Sequence, residues 1–416
     1  STWTRISFPS LQLARCDALL LLCITTPHTC SSATPPRKLA SPFVVLLLST
    51  QPRLLSSQQA MATGSNSQEI RPSPELPKQL PFDFLKKITN DFSAERKIGG
   101  GPFGSIYKGV VPDDGRVIAV KKLQENAPMP PDKTFNNEVQ NIMALKHENI
   151  VELVGFCWET QKKLVQFDGR YIQADITESV LCYEYLPNGS LQQNLFGTKT
   201  AEAVSSAEPA IDWAARFKII KGICQGLLFL HKLDIPIIHM DLKPENILLD
   251  ESMVPKIADF GLSRVFGQEQ TRLYTQTVVG SYGYMAPEYL YRGEISAQSD
   301  IYSLGLLILE ISTGEQNCKD KNQPSARNFI DKVREEWTLE HIASKYASLD
   351  TEGLHQVKIS IELGLKCAEI DRRVRPPIEE IVDTLNGLRA NEMANEVPHA
   401  SPVSKKMGFL GGFKKK

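Results

Sequence analysis

Two short polar motifs restrict the possible folds and functions of this chain more than any other part of its sequence. The first, HMDLKPEN, places Asp241, Lys243 and Asn246 between an apolar pair and an apolar run. The second, DFG, begins with Asp259, thirteen residues after Asn246, and follows the strand-like residues KIA. An aspartate can accept a hydroxyl proton, a lysine can neutralise a transferred anion, and amide and carboxylate oxygens are ligands for Mg²⁺. The pair of motifs therefore predicts a site that handles phosphate.

A glycine-rich stretch earlier in the chain offers a second place for phosphate. Gly99, Gly101 and Gly104 have the spacing GxGxxG and are followed by SIYKGVV, which reads as a strand. A dinucleotide-binding fingerprint would run into a helix instead. Glycines in a hairpin let backbone N–H groups approach phosphate oxygens, and Phe103 at the tip could cover them. Taken alone, the motif fits a phosphate loop and a structural turn equally well.

A lysine that ends a β-branched strand is the third candidate for binding phosphate. Lys121 in RVIAVKK would be half-buried, which is costly unless its ammonium meets an anion. Phosphate oxygens and a carboxylate could supply that anion, and we expect the carboxylate to be Glu138 on the next helix. For Lys121 considered alone, a solvated strand end is the favoured interpretation.

The periodicity of the chain predicts a small β-rich part followed by a larger helical part. Strands are predicted within 97–123, at 150–157 and at 181–186, and the insert 162–179 is predicted to form a hairpin. Helices are predicted at 82–93, 135–147, 211–233 and 300–314, around 329–337 and 357–368, and at 378–388.

Composition limits the partners and the compartment. A formal net charge of −1 gives no reason to expect nucleic acid as a partner. The eight cysteines include no CxxC pair, which favours buried free thiols in a reducing compartment.

Residues 1–60 hold one acidic and five basic residues, and their apolar runs are too short to span a bilayer. Because the first methionine is Met61, we interpret 1–60 as a disordered leader derived from an untranslated region, with a targeting segment as the alternative.

In this order and spacing, the motifs resemble those of the eukaryotic protein kinases, a likeness that covers about residues 92–390. The set continues with APE at 286–288, with Asp300 in DIYSLG and with Arg375 in RRVRPP. In the resemblance, Asp300 braces the catalytic loop and Arg375 pairs with Glu288. LPFDFLKKITNDFS, LCYEYLPNGSL and VVGSYGYMAPEY are similar to the plant receptor-like kinase group.

The resemblance implies an α+β fold with two lobes, a small antiparallel sheet lobe and a larger, mainly helical lobe. The N-lobe would span 92–185 and the C-lobe 186–390. A linker and lead-in helix at 61–91 would precede them, and a disordered lysine-rich tail at 391–416 would follow.

The function that the resemblance implies is that of a serine/threonine kinase using ATP and Mg²⁺, with Mn²⁺ as an alternative metal. Lys121, held by Glu138, would position the nucleotide phosphates, and Asn246 and Asp259 would hold the metal. Asp241 would orient the acceptor hydroxyl, and Lys243 would stabilise the transition state. Ser281, Pro287 and Glu288 would belong to the substrate loop. The implied ATP-binding residues are Ile98, Gly99, Gly101, Phe103, Gly104, Ile106, Ala119, Lys121, Tyr183, Glu184, Leu186 and Leu248.

Two residues depart from the family pattern. Met240 replaces the arginine with which many kinases gather a phosphate on the activation segment, so ordering of 259–288 by phosphate is expected to be weak. Pro102 fixes its backbone and removes one N–H from the glycine-rich stretch, so that stretch should be stiffer. Thr271, Thr275, Thr277 and Ser281 are candidate phosphorylation sites, although for each one an ordinary polar loop residue is the favoured interpretation.

The sequence argues against two functions other than that of an active protein kinase. A pseudokinase scaffold would be favoured by loss of Lys121, Asp241 or Asp259, and all three are present. A small-molecule phosphotransferase is disfavoured by GSYGYMAPEY, which in the resemblance docks a peptide.

The resemblance also implies receptor-linked signalling, including immune signalling. A protein with a serine or threonine hydroxyl would be the substrate and a receptor kinase the upstream partner. The location would be the cytoplasm, and peripheral attachment to the plasma membrane is the alternative.

Overall fold

A computed structural model describes residues 6–7, 77–197, 211–267, 270–317 and 326–395. The predicted leader lies outside the described residues, apart from strand β1 (Ile6–Ser7). The first part of the predicted linker and the tail beyond residue 395 also lie outside them. The domain boundaries inferred above therefore remain predictions at both ends of the chain.

The N-terminal part of the described chain is built on one six-stranded sheet. Its strands are β2 (Lys78–Gln79), β3 (Lys97–Gly101), β4 (Gly104–Val110), β5 (Val117–Leu123), β6 (Leu153–Phe167) and β7 (Arg170–Glu184). Their order in the sheet is β2-β6-β7-β5-β4-β3, and every neighbouring pair is antiparallel except β2 and β6. This agrees with the antiparallel strands predicted within 97–123.

The glycine-rich stretch forms the tight turn between β3 and β4. A Cβ atom at Gly104 would stand 2.3 Å from the carbonyl oxygen of Lys122 on the neighbouring strand, so only glycine fits there. A Cβ atom at Gly101, by contrast, would meet nothing within 4 Å. The sheet itself therefore requires the third glycine of the motif, whereas it leaves the second unconstrained.

Strands β6 and β7 form a hairpin longer than the predicted insert. They turn at Asp168 and Gly169, which both have positive φ, as a two-residue hairpin turn requires. The register pairs Phe167 with Arg170 at the turn and Leu153 with Tyr183 at the base. The hairpin predicted for 162–179 is confirmed.

Two helices pack against this sheet, and both differ in length from the prediction. Helix α1 (Phe82–Ile88) ends five residues before the predicted 93, because the backbone of residues 90–92 has positive φ and cannot continue a helix. Helix α2 (Pro131–Ile142) lies earlier than the predicted 135–147. Pro131 at its first position has the φ that a helix start needs, a signal that apolar spacing does not contain.

The C-terminal part is mainly helical. Its helices are α3 (Leu191–Phe196), α4 (Trp213–His231), α5 (Pro287–Arg292), α6 (Ala297–Thr313), α7 (Arg327–Glu336), α8 (Leu339–Lys345), α9 (Thr351–Cys367) and α10 (Ile378–Asn395). Helix α6 is buried along almost its whole length, so the other helices surround it. Helix α10 continues past the predicted tail boundary at 390, since ANEMAN contains good helix formers.

Short strands and 3-10 turns support the loops between these helices. The strands are β8 (Ile237–Ile238), β9 (Ile247–Leu249), β10 (Pro255–Ile257), β11 (Arg264–Val265), β12 (Leu273–Tyr274), β13 (Thr277–Val278) and β14 (Glu294–Ile295). Two 3-10 turns, Pro244–Asn246 and Phe260–Leu262, lie among these strands, and another in the described residues, Ala94–Arg96, precedes β3 in the sheet part. Both polar motifs of the sequence therefore lie next to short strands and 3-10 turns.

The architecture confirms the predicted α+β fold with a sheet lobe and a larger helical lobe. The four cysteines of the described ranges, Cys157, Cys182, Cys224 and Cys367, are buried free thiols, as expected. Within those ranges no helix combines the length and the apolar character that crossing a membrane requires.

Candidate active site

A cleft of about 530 Å³ between the sheet and the helical lobe brings the predicted nucleotide-binding residues together. Those that line it are Ile98, Gly99, Gly101, Phe103, Gly104, Ile106, Ala119, Lys121, Tyr183, Glu184, Leu186 and Leu248. Lys243, Asn246 and Asp259 from the two polar motifs line the same cleft. Residues far apart in the sequence thus share one cavity of the size of a small-molecule site.

Phe103 lies in the turn between β3 and β4, as expected, but its side chain points into the core. Its side chain is buried in the main apolar cluster together with Leu123 and Phe135. An aromatic ring gains more by joining that cluster than by remaining in solvent. Phe103 therefore lines the cleft from within the core, and its covering of phosphates stays a prediction.

Lys121 on β5 lies between two carboxylates. Its Nζ atom is 2.6 Å from Glu138 Oε1 and 2.8 Å from Asp259 Oδ1. Burial by itself would lower the pKa of Lys121, but the nearby charges of Asp259 and Glu138 outweigh burial and raise it above its ordinary value. For Asp259, burial works against ionisation, yet Lys121 holds its pKa below the usual range. The lysine is therefore charged and fixed, which excludes the solvated strand end.

Tyr183 contributes a contact that the sequence did not reveal. Its hydroxyl donates a hydrogen bond to Glu138 Oε2, while Lys121 binds the other carboxylate oxygen. Strand β7 and strand β5 thus both hold helix α2 through the same glutamate. The resemblance implied that Tyr183 binds the nucleotide, but the sequence gave no signal for this bond.

Asp241 is the most deeply placed carboxylate of the catalytic-loop motif, with 2% of its surface exposed. Its Oδ2 accepts a hydrogen bond from Asn246 Nδ2 at 2.8 Å and lies 3.1 Å from Lys243 Nζ. Its Oδ1 has no hydrogen-bond partner in the described part of the chain. Burial, only partly opposed by Lys243, raises the pKa of Asp241 to about 6. An acceptor with an unused oxygen can hold a hydroxyl proton near neutral pH.

Lys243 joins this loop to the predicted substrate loop. Its Nζ donates to Ser281 Oγ at 2.7 Å, and Ser281 belongs to the segment GSYGYMAPE. Both residues are buried. One lysine therefore contacts the catalytic-loop carboxylate and a hydroxyl of the segment that precedes α5.

The backbone of the catalytic loop is held by Asp300 on α6. Its carboxylate accepts hydrogen bonds from the His239 N–H at 2.7 Å and the Met240 N–H at 2.8 Å, and it contacts His231. Met240 is buried in the core with φ of 68°, a conformation that costs free energy and needs such support. The place where an arginine was expected thus holds an apolar side chain that has no donor for a phosphate.

Asn246 and Asp259 offer the oxygen atoms that could bind a metal. Asn246 donates through Nδ2 to Asp241, so its side-chain carbonyl oxygen remains an acceptor. Oδ1 of Asp259 accepts a hydrogen bond from Lys121. In the parts of the chain that the structure describes, no group of three or more His, Cys, Asp and Glu side chains could hold a metal. One carboxylate and one amide fit Mg²⁺ completed by phosphate oxygens rather than a metal held by protein alone.

Arg375 and Glu288 form a buried pair behind the substrate loop. The guanidinium lies 2.7 Å from Oε1 and 2.8 Å from Oε2 of Glu288, a bidentate geometry. Pro287 is the first residue of α5 and Glu288 the second, so this pair fixes the start of that helix. The alternative of a surface ion pair is excluded, because both side chains are buried.

The cleft also contains residues that the sequence analysis missed. Ser190, Gln192 and Gln193 line it at the start of α3. Ser190 and Gln193 form a capping box, so the pattern SLQQ directly after LPNG could have predicted a helix start beside the pocket. Gln192 Oε1 is buried without a hydrogen-bond partner among the described residues, which makes it available to a ligand.

The family comparison agrees with this geometry. Residues 92–385 match the family model of the protein kinase domain. Cysteine-rich receptor-like protein kinase 44 of Arabidopsis thaliana is 37% identical over 314 residues, covering 74% of this chain and 76% of that protein.

Two further relatives from the same plant are longer. Cysteine-rich receptor-like protein kinase 29 is 38% identical over 311 residues, covering 73% of this chain and 42% of the relative. Cysteine-rich receptor-like protein kinase 25 is 34% identical over 336 residues, covering 80% of this chain and 45% of the relative. The chain therefore spans less than half the length of these two relatives.

Proposed function

Because this chain belongs to the protein kinase family, within its plant receptor-like group, we propose that it transfers the γ-phosphoryl group of ATP to protein serine or threonine hydroxyls. The observation that carries the proposal is a pair of charged clusters beside one cleft. Lys121, Asp259, Lys243 and Asn246 line the cleft, and Glu138 and Asp241 contact these lining residues. In the first cluster Lys121 is fixed by Glu138 and Asp259. In the second, Asp241 is held by Lys243 and Asn246 and keeps one oxygen free of partners in the described chain.

The first cluster suits the nucleotide. A charged lysine that cannot swing away is positioned to hold the α- and β-phosphates, and the glycine-rich turn above it brings backbone N–H groups to them. The adenine would lie against Ala119 and Leu248, which line the cleft from its two sides, and would bind the backbone at Glu184 and Leu186.

The second cluster suits the acceptor. The substrate oxygen forms a bond to the γ-phosphorus while the bond from that phosphorus to the bridging oxygen breaks, and ADP leaves. Asp241 takes up the hydroxyl proton at its free Oδ1, and Lys243 neutralises charge on the moving phosphoryl group. The contact between Lys243 and Ser281 ties this lysine to the loop that would carry the peptide, as in serine/threonine-specific members.

Asn246 and Asp259 are the residues that would hold Mg²⁺, and the same oxygen ligands would accept Mn²⁺. When bound, the ion neutralises charge on the nucleotide phosphates. Of the two residues that would hold the ion, Asn246 contacts Asp241 in the second cluster and Asp259 contacts Lys121 in the first.

The physiological setting follows from the relatives. The names of these relatives describe receptor-like protein kinases, so we assign this chain to receptor-linked signalling. Immune signalling is what the resemblance to kinases without the arginine before the catalytic aspartate implies, since Met240 stands at that position here. An upstream receptor kinase would be its partner, and its location would be cytoplasmic with peripheral attachment to the plasma membrane. Met240 supports control by means other than a phosphate gathered beside the catalytic loop.

Labelled phosphate transfer tests the proposal. Wild type and Asp241→Asn are incubated with Mg-ATP labelled at the γ position and a basic protein, and the phosphorylated amino acids of the product are identified. We expect phosphoserine or phosphothreonine from the wild type and a loss of at least about a hundredfold in the variant. Phosphotyrosine alone, or equal rates for the two proteins, would contradict the assignment.

The scaffold alternative gives a different result. A nucleotide-binding scaffold would be stabilised by ATP in thermal unfolding, but neither protein would transfer phosphate. A catalytic nucleotide site should also show greater stabilisation by ATP with Mg²⁺ than without it, and Asp259→Asn should remove this difference.

A further inference from the structure

Helix α2 turns a polar stripe, not an apolar one, toward the segment that follows Asp259. Thr134, Glu138 and Asn141 are buried at helical spacing, and Asn137 lies beside them on the same side. A helix usually packs an apolar stripe against its neighbour. Buried polar groups are costly unless they find partners. The partners of this stripe therefore show what the helix holds in place.

Those partners lie in the turn of residues 260–263, which we call the DFG turn. Asn137 Nδ2 donates to the carbonyl oxygen of Gly261 at 2.9 Å. Asn141 Nδ2 donates to Ser263 Oγ at 2.6 Å, and both side chains are buried. Two amides one helical turn apart thus bind the same turn.

The DFG turn is also closed on itself and packed tightly. Ser263 Oγ donates to the carbonyl oxygen of Phe260 at 2.6 Å and accepts from Asn141, so its hydroxyl links the helix to the backbone of the turn. A Cβ atom at Gly261 would stand 2.9 Å from Thr134 Cγ2, which leaves no room between helix and turn. Helix α2 and the DFG turn therefore behave as one packed unit.

Asp259, directly before this turn, needs such support. Its backbone has φ of 67°, a left-handed conformation that is unfavourable for a residue with a side chain. Many chains of this fold use an arginine and a phosphate to order the same region, and Met240 offers no donor for a phosphate. The amides of α2 carry no charge, so their hold does not depend on phosphorylation.

We propose that Asn137 and Asn141 are positioning residues that hold the DFG turn, and through it Asp259, in the metal-binding conformation without a phosphate on the activation segment. The proposal rests on the proposed kinase function. It assigns to Asn141, which no catalytic motif includes, a role in the chemistry.

The test compares Asn141→Leu and Ser263→Ala with Asn136→Leu, which makes the same kind of change on the exposed side of α2. Ser263→Ala removes a single oxygen and therefore guards against misfolding of the leucine variant. We expect either variant to lower kcat about tenfold and to raise the Mg²⁺ concentration for half-maximal rate. Asn136→Leu should change neither. The double variant should lose little more than the single ones, because both remove the same contact.

A phosphatase-treated wild type completes the test and should keep its initial rate. The inference is wrong if Asn141→Leu matches Asn136→Leu in kcat and in Mg²⁺ dependence, since Asn141 would then serve stability alone. It is also wrong if dephosphorylation abolishes the rate. If the wild type itself transfers no phosphate, the proposed function fails instead. In that case, a Mg²⁺-dependent stabilisation by ATP that is equal in Asn141→Leu and Asn136→Leu would overturn the positioning role separately.

Discussion

Replacing Arg375 by alanine should destabilise the helical lobe more than any nearby change of charge. The guanidinium is 0% exposed and its partner Glu288 is 8% exposed. Besides the two bonds to Glu288, it donates to the carbonyl oxygens of Gln298 at 2.8 Å, Glu369 at 2.7 Å and Ile370 at 3.2 Å. Alanine would leave the Glu288 carboxylate buried without its cation and would remove the arginine's hydrogen bonds to three carbonyl groups.

The size of the effect follows from these contacts. Removing one partner of a buried ion pair costs about 3–5 kcal/mol. A domain of about 300 residues has an unfolding entropy of roughly 0.6 kcal/mol per kelvin at its midpoint, which converts this cost to about 5–8 °C. Lysine cannot form the bidentate contact or replace the other donors, so Arg375→Lys should recover only part of the loss.

Thermal unfolding of three variants measures the effect. Arg373, two residues earlier, is 80% exposed in its ion pair with Asp371, so Arg373→Ala is the matched control and should leave the midpoint almost unchanged. The double variant Glu288→Ala and Arg375→Ala should be more stable than Arg375→Ala, because no carboxylate remains unpaired. Equal midpoints for Arg375→Ala and Arg373→Ala would refute the reasoning.

Four further predictions concern Asp241, Gly104 and Tyr183. Because burial raises the pKa of Asp241 to about 6, phosphate transfer should fall as pH drops below about 6, and a rate unchanged at pH 5 would contradict this. The pKa of Asp241 is higher in the folded protein than in the unfolded chain, so protonation of Asp241 stabilises the fold. This stabilisation is lost as pH rises through about 6. Asp241→Asn should therefore unfold at a higher temperature than the wild type at pH 7.5 but not at pH 4. Gly104→Ala should lower the unfolding midpoint clearly, whereas Gly101→Ala should not, as thermal scans without nucleotide will show. Tyr183→Phe removes the donor to Glu138 and should lower kcat severalfold while the circular dichroism spectrum stays the same; unchanged kcat would show that Lys121 alone holds the glutamate.

The sequence predicted the parts of the site that local pattern encodes. The β-branched strand that ends in Lys121 and the following helix with Glu138 indicated their contact, because an isolated buried ammonium is too costly, but only the kinase resemblance favoured it over a solvated strand end. The hairpin was predictable for a similar reason, since Asp168-Gly169 between two alternating runs is a strong turn signal. In both cases the physical constraint acts within a short stretch of chain.

Contacts between distant segments were not predictable in this way. Asn141 and Ser263 are 122 positions apart, and an asparagine on a helix is usually solvated, so nothing in the local pattern marked it as buried. The hydrogen bond from Tyr183 to Glu138 was not predicted either, because the two residues are distant in the sequence. Helix ends were misplaced where backbone conformation decided them, as at residues 90–92, because apolar spacing carries no information on φ.

The stoichiometry of a single turnover tests the central claim most directly. A limiting amount of γ-labelled Mg-ATP is mixed with excess protein and a serine- and threonine-containing substrate, and ADP and protein-bound phosphate are quantified together. The account predicts one phosphate on protein for each ADP formed, with both products lost in Asp241→Asn. Formation of ADP with free phosphate in solution, or of neither product while ATP stays bound, would contradict transfer to protein by this site.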